Sequence, residues 1–168
     1  GALPLPAVAA GRPAELLLLA PTGDWPARRD ALRSAGFPLT AGVDLVDGAG
    51  ERLLAFATTT GKSLESFKNA LWAVDEYAGV RYRDPGDPAG TLLDITLEPG
   101  PGPLRRELLG KLAGGGCTVT ELRRFTLTET VYRSSDTVRA LTALLAAGAV
   151  DRDPPGGRLA GDVLVTRR

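Results

Sequence analysis

The last third of the chain carries a sequence pattern that few folds can accommodate. Residues 103–113 are apolar at helical spacing and end at the glycine run 114–116. Two further helical patterns follow, at 118–127 and 136–150, and the chain closes on two short β-patterned arms around the tip at 153–157. Helix, helix, helix and hairpin in this order predict a winged helix-turn-helix, a module that places one helix against a duplex groove.

The preceding residues predict a small domain of alternating strands and helices. A buried strand is expected near 15–19, and a helix capped by Asp24 is expected over 24–36. A hairpin follows, with arms at 43–46 and 53–57. The remaining expectations are a helix with Ser63 as its N-cap and Leu64, Phe67, Leu71 and Val74 in the core, a loop at 78–90, and a strand at 91–97.

The predicted fold class is therefore α+β, with a small mixed α/β half followed by a C-terminal winged helix-turn-helix. The boundaries are 1–97 for the strand-helix-hairpin-helix domain, 98–102 for a stiff Pro/Gly linker, and 103–168 for the winged helix domain. A sheet of only three or four strands is marginal alone, so we expect the halves to share a core or the chain to form a homodimer.

Missing residue types narrow the chemistry that the chain can perform. It contains no histidine and one cysteine, which excludes histidine-based nucleophilic catalysis and leaves too few ligands for structural zinc. The segment Thr60-Gly61-Lys62-Ser63 is not a phosphate loop, because Phe56 stands where that motif needs a glycine. We therefore predict no catalytic residues, no cofactor and no metal, and favour a binding protein over an enzyme.

Composition bears on compartment and on charge. A single cysteine and no apolar run long enough to span a bilayer indicate a cytoplasmic protein without membrane contact, and the Ala-, Gly-, Arg-rich composition is typical of a GC-rich bacterial genome. Residues 103–168 hold eleven Lys and Arg against seven Asp and Glu, a net charge of +4. The rest carries −4, because the whole chain is neutral. This asymmetry favours contact between the C-terminal part and phosphate.

The candidate nucleic-acid contacts surround the third helix and the hairpin tip. That helix is expected to bury Val138, Leu141, Leu144 and Leu145 and to expose Thr137, Arg139, Ala140 and Thr142. Residues near the positive end of a helix can hold a phosphate. The predicted contact residues are Arg133, Ser134, Ser135, Thr137, Arg139, Thr142, Arg152 and Arg158.

The segment 56–84 resembles a conserved region of the three-Cys-motif partner proteins. The matching residues are Phe56, Ala57, Thr58, Lys68, Ala70, Trp72, Val74, Asp75, Gly79, Arg81 and Tyr82. The segment 118–153 is similar to the closing winged-helix-like part of that family, and 11–21 to its middle strand. The likeness covers most of this chain but only the later half of a typical member, without the portion that resembles a methyl-donor-binding fold. The resemblance implies a partner-dependent function that involves nucleic acid.

Two other functions remain open from the sequence. The alanine-rich third helix favours a protein-docking or dimerisation module of a partner-dependent complex, because small residues allow close helix approach. The resemblance also allows a remnant of a methyl-donor-dependent nucleic-acid enzyme. The leading expectation is an accessory or regulatory protein that binds nucleic acid, duplex DNA first, mainly through phosphate contacts.

Overall fold

A computed structural model describes residues 5–11, 13–74, 80–96 and 99–168. The chain divides into two compact units, unit 1 (Gly1–Pro99) and unit 2 (Gly100–Arg168). The division lies within the Pro/Gly-rich stretch 98–102. Both units mix helices with antiparallel strands, so the α+β class is confirmed.

Unit 1 is built on a five-stranded antiparallel sheet with the strand order β1-β3-β2-β4-β5. Its elements in chain order are α1 (Leu5–Ala10), β1 (Glu15–Pro21), α2 (Trp25–Ser34), β2 (Leu39–Asp47), β3 (Gly50–Thr58), α3 (Gly61–Trp72), β4 (Arg81–Arg83) and β5 (Leu92–Asp94). The long β2–β3 hairpin is the centre of the sheet, since β1 pairs with β3 on one side and β4 with β2 on the other.

Each face of this sheet packs against a different helix. The side chains of Leu53, Ala55 and Ala57 point to one face, where they join Trp25 and other residues of α2 in a buried cluster. Alternation along β3 turns Phe56 to the opposite face. There it stacks on Phe67 of α3, with ring centroids 4.5 Å apart.

Glycine at position 42 makes room for the indole of Trp25. The ring carbons of Trp25 lie 2.8–2.9 Å from where a Cβ of residue 42 would stand. A side chain in the middle of β2 would therefore displace the first residue of α2. The N-terminus of α2 is also held by Asp24, whose carboxylate accepts the backbone N–H of Ala27 at 3.0 Å, and this confirms the predicted cap.

Several expectations for unit 1 need correction. The N-cap of α3 is Thr60 and not Ser63, because the Thr60 hydroxyl accepts the Ser63 backbone N–H at 3.2 Å. Val74 lies beyond the end of α3 and is 49% exposed, so it is no core residue. Part of the predicted loop 78–90 is the strand β4.

Tyr82 of β4 is buried, so its ring has no surface on which a base could stack. It packs edge-on against Trp72 and donates its hydroxyl to the carbonyl of Leu71 at 2.7 Å. The sequence offers Trp72, Tyr77 and Tyr82 as rings on which a base could stack, and of these Tyr77 lies outside the described residues.

Burial of Tyr82 predicts a specific loss of stability at high pH. Burial raises the pKa of this phenol from 10.0 to about 12. Above pH 10.0 the unfolded chain releases the proton while the folded protein retains it, so rising pH favours unfolding until about pH 12. We expect the melting temperature to fall over this range, and to fall less in Tyr82→Phe.

The measurement is thermal unfolding of both proteins across that pH range. At neutral pH, Tyr82→Phe should be less stable by about 1 kcal/mol, because the hydrogen bond to Leu71 is lost. Parallel curves for the two proteins at high pH would contradict the assignment of the pKa shift to this side chain.

Unit 2 combines a helical cluster with a three-stranded antiparallel sheet of order β6-β8-β7. Its elements are α4 (Gly102–Leu112), β6 (Cys117–Thr118), α5 (Val119–Glu129), α6 (Asp136–Ala146), β7 (Val150–Asp153) and β8 (Leu164–Arg167). Fully buried side chains from the three helices and from β8 form its core, among them Leu108, Leu122, Leu141 and Val165. The short strand β6, which the sequence did not indicate, joins the hairpin to the start of α5.

Thr118 and Glu121 have the sequence spacing of a capping box, and the structure confirms this cap at the start of α5. The Thr118 hydroxyl accepts the Glu121 backbone N–H at 3.2 Å, and the Glu121 carboxylate accepts the Thr118 backbone N–H at 2.7 Å. The hydrogen bond from the Thr118 backbone N–H, with a second one from the Thr118 hydroxyl at 2.9 Å, holds the pKa of the Glu121 carboxyl below its usual value. No helix among the described residues is both long and apolar enough to cross a membrane.

Candidate nucleic-acid interface

The turn between α5 and α6, residues 130–135, is held in one conformation by side-chain hydrogen bonds. The Thr130 hydroxyl donates to the carbonyl of Thr126 at 2.8 Å and accepts the backbone N–H of Tyr132 at 3.0 Å. The Tyr132 hydroxyl donates to the carbonyl of Gly100 at 3.1 Å. Thr130 and Tyr132 are both buried, so the turn sets the angle at which α6 leaves α5.

Asp136, the first residue of α6, is the electrostatic centre of this turn. Its carboxylate accepts the backbone N–H of Arg133 at 3.0 Å, and the Arg133 Nε and Nη2 at 3.0 and 2.9 Å. The Asp136 side chain is 6% exposed and that of Arg133 is 14% exposed. Arg133, a predicted phosphate contact, is therefore engaged in a nearly buried ion pair within the protein.

Thr137 is fully buried, so its predicted exposure is wrong, as it is for Ala140. The Thr137 hydroxyl donates to that of Thr126 at 3.0 Å, which in turn donates to the carbonyl of Leu122 at 2.9 Å. This chain of hydroxyls joins α6 to α5 within the core of unit 2.

Thr137 and Ala140 are buried because the buried face of α6 is rotated about the helix axis relative to the expected face. The buried positions 137, 140, 141 and 144 follow the spacing i, i+3, i+4 and i+7, whereas the expected stripe is rotated by about one residue toward the larger side chains. Val138 and Leu145, expected in the core, are accordingly only half-buried. A threonine can occupy the core position because its hydroxyl has a partner.

The solvent-facing side of α6 is small and nearly uncharged. Ser135 and Thr142 are exposed, and the Thr142 hydroxyl donates to the carbonyl of Val138 at 2.8 Å. Arg139 is the only cation in α6, with 37% of its side chain exposed and its Nη2 3.5 Å from the Asp136 carboxylate. Ser134 is half-buried. Of the predicted contacts around α6, Ser135, Arg139 and Thr142 are thus brought to one accessible side.

Arg152 organises the loop between β7 and β8, residues 154–163. Its Nε donates to the carbonyl of Pro154 at 3.0 Å, its Nη1 to that of Gly157 at 2.8 Å, and its Nη2 to that of Arg158 at 3.0 Å. The guanidinium of Arg152 therefore stabilises the conformation of the loop. The exposed charged side chains of the loop are those of Arg158 and Asp162.

Other charges of unit 2 are partly neutralised by one another. Arg168 donates through Nε to Asp151 at 2.8 Å. This pairing lowers the pKa of the Asp151 carboxyl and raises that of the Arg168 guanidinium. Both side chains are more than half exposed, so salt screens the pair and its contribution to folding is small.

An open groove of about 280 Å³ in unit 2 places the cysteine among charged residues. Its lining comprises Lys111, Cys117, Glu121, Arg124, Phe125, Thr128 and Glu129. The sequence did not indicate a basic neighbour for Cys117, yet Lys111 and Arg124 line the same groove. The signal that could have found this face is the spacing of 121, 124 and 128 along α5, which puts these residues on one side of the helix.

Unit 1 contains an open groove of different character, almost entirely apolar and of about 340 Å³. Its lining comprises Leu45, Leu54, Phe67, Ala70, Leu71, Val74, Val80, Tyr82 and Ile95. Among the described residues of that lining, Tyr82 has the only polar side chain, and it is buried. Within the described ranges, no cluster of three or more His, Cys, Asp or Glu residues could hold a metal ion.

Comparison of the chain with protein-family models, with curated proteins and with solved structures finds no match. The resemblance to the three-Cys-motif partner proteins therefore stays a prediction.

Proposed function

We propose that unit 2 is a winged helix-turn-helix module and that it binds nucleic acid, duplex DNA first, as an accessory or regulatory protein. The observation that carries the proposal is the order and pairing of its elements. α4, β6, α5, α6 and the β7–β8 hairpin follow the plan in which the second helix of a helix-turn-helix meets the duplex. In this assignment α6 is the recognition helix and the loop 154–163 is the wing.

The proposed contact set is Ser135, Arg139 and Thr142 on α6 and Arg158 on the wing, with Ser134 at the edge. Each of these residues has an exposed or half-exposed side chain. Arg133, Thr137 and Arg152 have a different role, because their polar groups are used inside the protein to hold the turn and the wing.

Phosphate groups are the chemical target that this surface fits. Arg139 and Arg158 supply positive charge, while the Ser135 hydroxyl can donate to a phosphate oxygen. The exposed side of α6 has no Asn, Gln or Lys and only one Arg, so few side chains could read base edges. We therefore propose binding with little sequence preference.

The test is the double variant Arg139→Ala/Arg158→Ala. Each lost phosphate contact reduces the slope of log affinity against log salt by about 0.9 on duplex DNA, so the pair should reduce it by about 1.8. The matched control is Arg52→Ala/Arg81→Ala, which removes the same charge from exposed positions of unit 1. An unchanged slope in the first variant, or an equal loss in the control, would contradict this contact set.

A second candidate function is docking of a protein partner on the same side of α6. The observation that favours it is the small surface formed by Ala143, Ala146 and Ala147, of which the last two are exposed. Small residues allow another helix to approach closely. A complex that persists unchanged at high salt, together with no binding of nucleic acid at low salt, would favour docking over phosphate binding.

A further inference from the structure

The outer edge of β1 is apolar and open. β1 is the first strand in the order β1-β3-β2-β4-β5, so one of its edges has no neighbouring strand among the described residues. Leu17 and Leu19 are 62% and 53% exposed, the two most exposed of the large hydrophobic residues described. They lie on the same face of the sheet as their partners on β3, Phe56 and Leu54.

The backbone of these two leucines faces away from β3. The backbone N–H of Thr59 donates to the carbonyl of Ala14 at 3.1 Å, which makes Ala14 and Thr59 a hydrogen-bonded pair of the antiparallel ladder. Hydrogen-bonded and non-bonded pairs alternate, so Leu16 and Leu18 point their backbone groups to β3. The N–H and C=O groups of Leu17 and Leu19 therefore point outward, and no described residue pairs with them.

Protection of β1 is confined to its ends. Proteins usually shield a free edge with charge, proline or a bulge. Here the strand has Glu15 at one end and Pro21 at the other, and Arg28 caps the outward carbonyl of Pro21 through a hydrogen bond of 2.6 Å. The five residues between the two ends are all apolar.

The opposite edge of the sheet is protected in the usual way. β5 comprises only Leu92–Asp94, and Asp94 is paired with Arg81 of β4 at 2.8 Å. A short strand that ends in a charge is a poor template for pairing. The two edge strands of the sheet thus differ in length and in charge, and β1 is the one to which another strand can pair.

We propose that β1 pairs antiparallel with β1 of a second copy of this chain, about a two-fold axis at Leu18. In this register Leu17 of one copy lies opposite Leu19 of the other, and each such pair exchanges both backbone hydrogen bonds. The leucines of the two copies then bury one another on a single face. Glu15 lies opposite Pro21, so no like charges meet.

A second copy fits this edge because the strand is self-complementary. An isologous contact requires that the same surface serve both partners, and an axis at the midpoint of β1 meets that requirement for backbone and side chains together. Moving the axis to Leu17 would place the Glu15 carboxylate against Leu19. The proposal concerns unit 1 and is independent of nucleic-acid binding by unit 2.

The first test is the mass of the full chain in solution, measured by sedimentation velocity over a range of concentrations. We expect a dimer for the native chain and a monomer for Leu17→Lys and for Leu19→Lys, with unchanged circular dichroism because both positions are exposed. The control is Leu92→Lys, at a position 41% exposed on the opposite edge of the same sheet, which should remain dimeric. A monomeric native chain, or dimers in all variants, would overturn the proposal.

The second test measures the register by disulfide formation in a Cys117→Ser background, which removes the native thiol. The residues of a hydrogen-bonded antiparallel pair have Cα atoms about 5.5 Å apart, within the range of a disulfide. A mixture of Leu17→Cys and Leu19→Cys chains should therefore cross-link rapidly on oxidation. Equal cross-linking of either variant alone would reject the axis at Leu18.

Discussion

Asp136→Ala is expected to destabilise unit 2 by about 3 kcal/mol, because it removes one partner of a nearly buried ion pair and leaves the other in place. Three hydrogen bonds from Arg133 end on this carboxylate. After the substitution the Arg133 guanidinium, 14% exposed, would keep its charge without that carboxylate. The turn between α5 and α6 would lose the hydrogen bonds that Asp136 accepts from Arg133.

The measurement is hydrogen exchange of backbone amides in α5 and α6, compared between native and variant chains. Protection should fall throughout these helices in Asp136→Ala and by less in Asp136→Asn, which retains an acceptor for the backbone N–H. Asp151→Ala is the matched control, since its pair with Arg168 is more than half exposed and its loss should change little. Equal effects at 136 and 151 would contradict the account of the turn.

Gly42→Ala is expected to destabilise unit 1 by about 1–3 kcal/mol, the usual range for adding a group to a filled core. The added Cβ would lie 2.8 Å from Cε2 of Trp25, closer than such carbons approach in proteins. The indole is 7% exposed and lies in the buried cluster that α2 forms with the sheet, so it has little space to move. Either the ring or the strand must shift.

Urea denaturation of the variants measures this effect directly. Gly48→Ala is the control, because a Cβ at that position meets nothing within 4 Å. In a Trp25→Leu background the cost of Gly42→Ala should shrink, since the atoms that clash are absent, and the difference is the coupling free energy of the two positions. Equal costs in both backgrounds would show that the glycine is needed for another reason.

Local patterns predicted the elements whose signals lie within a few residues. The capping box at Thr118 and the N-cap at Asp24 follow from hydrogen bonds inside one short segment. The helix expected over 136–150 follows from periodicity in the same way, and it ends at Ala146. The hairpin was found too, although its strands extend further than the alternating residues suggested, to Leu39–Asp47 and Gly50–Thr58. The backbone hydrogen bonding between β2 and β3 continues beyond the residues with alternating hydrophobicity.

Elements stabilised by distant partners were missed. β4 has three residues and forms because it pairs with β2, whose Asp44 lies 39 positions away from Arg83 and binds it at 3.1 Å. The pKa of the Glu51 carboxyl, which also pairs with Arg83, is lowered by this contact. The tripeptide Arg81-Tyr82-Arg83 contains no local signal of such a contact. The Pro and Gly residues that follow it favoured the prediction of a loop.

In the candidate site, too, some arginine contacts depend on nearby residues in the sequence and others depend on the folded structure. The sequence predicts Arg133, Arg152 and Arg158 equally as phosphate contacts. In the structure Arg133 and Arg152 form hydrogen bonds within the protein, whereas Arg158 is exposed. The pairing of Arg133 with Asp136 could be inferred from their i, i+3 spacing. The role of Arg152 could not, because its partners are backbone carbonyls whose positions depend on the folded loop.

The central claim, phosphate binding by unit 2, is tested most directly by fluorescence polarisation with labelled duplex DNA, single-stranded DNA and RNA. Two arginine contacts imply a slope near −1.8 on duplex DNA, hence affinity that weakens roughly tenfold between about 50 and 200 mM salt. We expect that loss on duplex DNA. Absence of binding at low salt to all three polymers would contradict the claim.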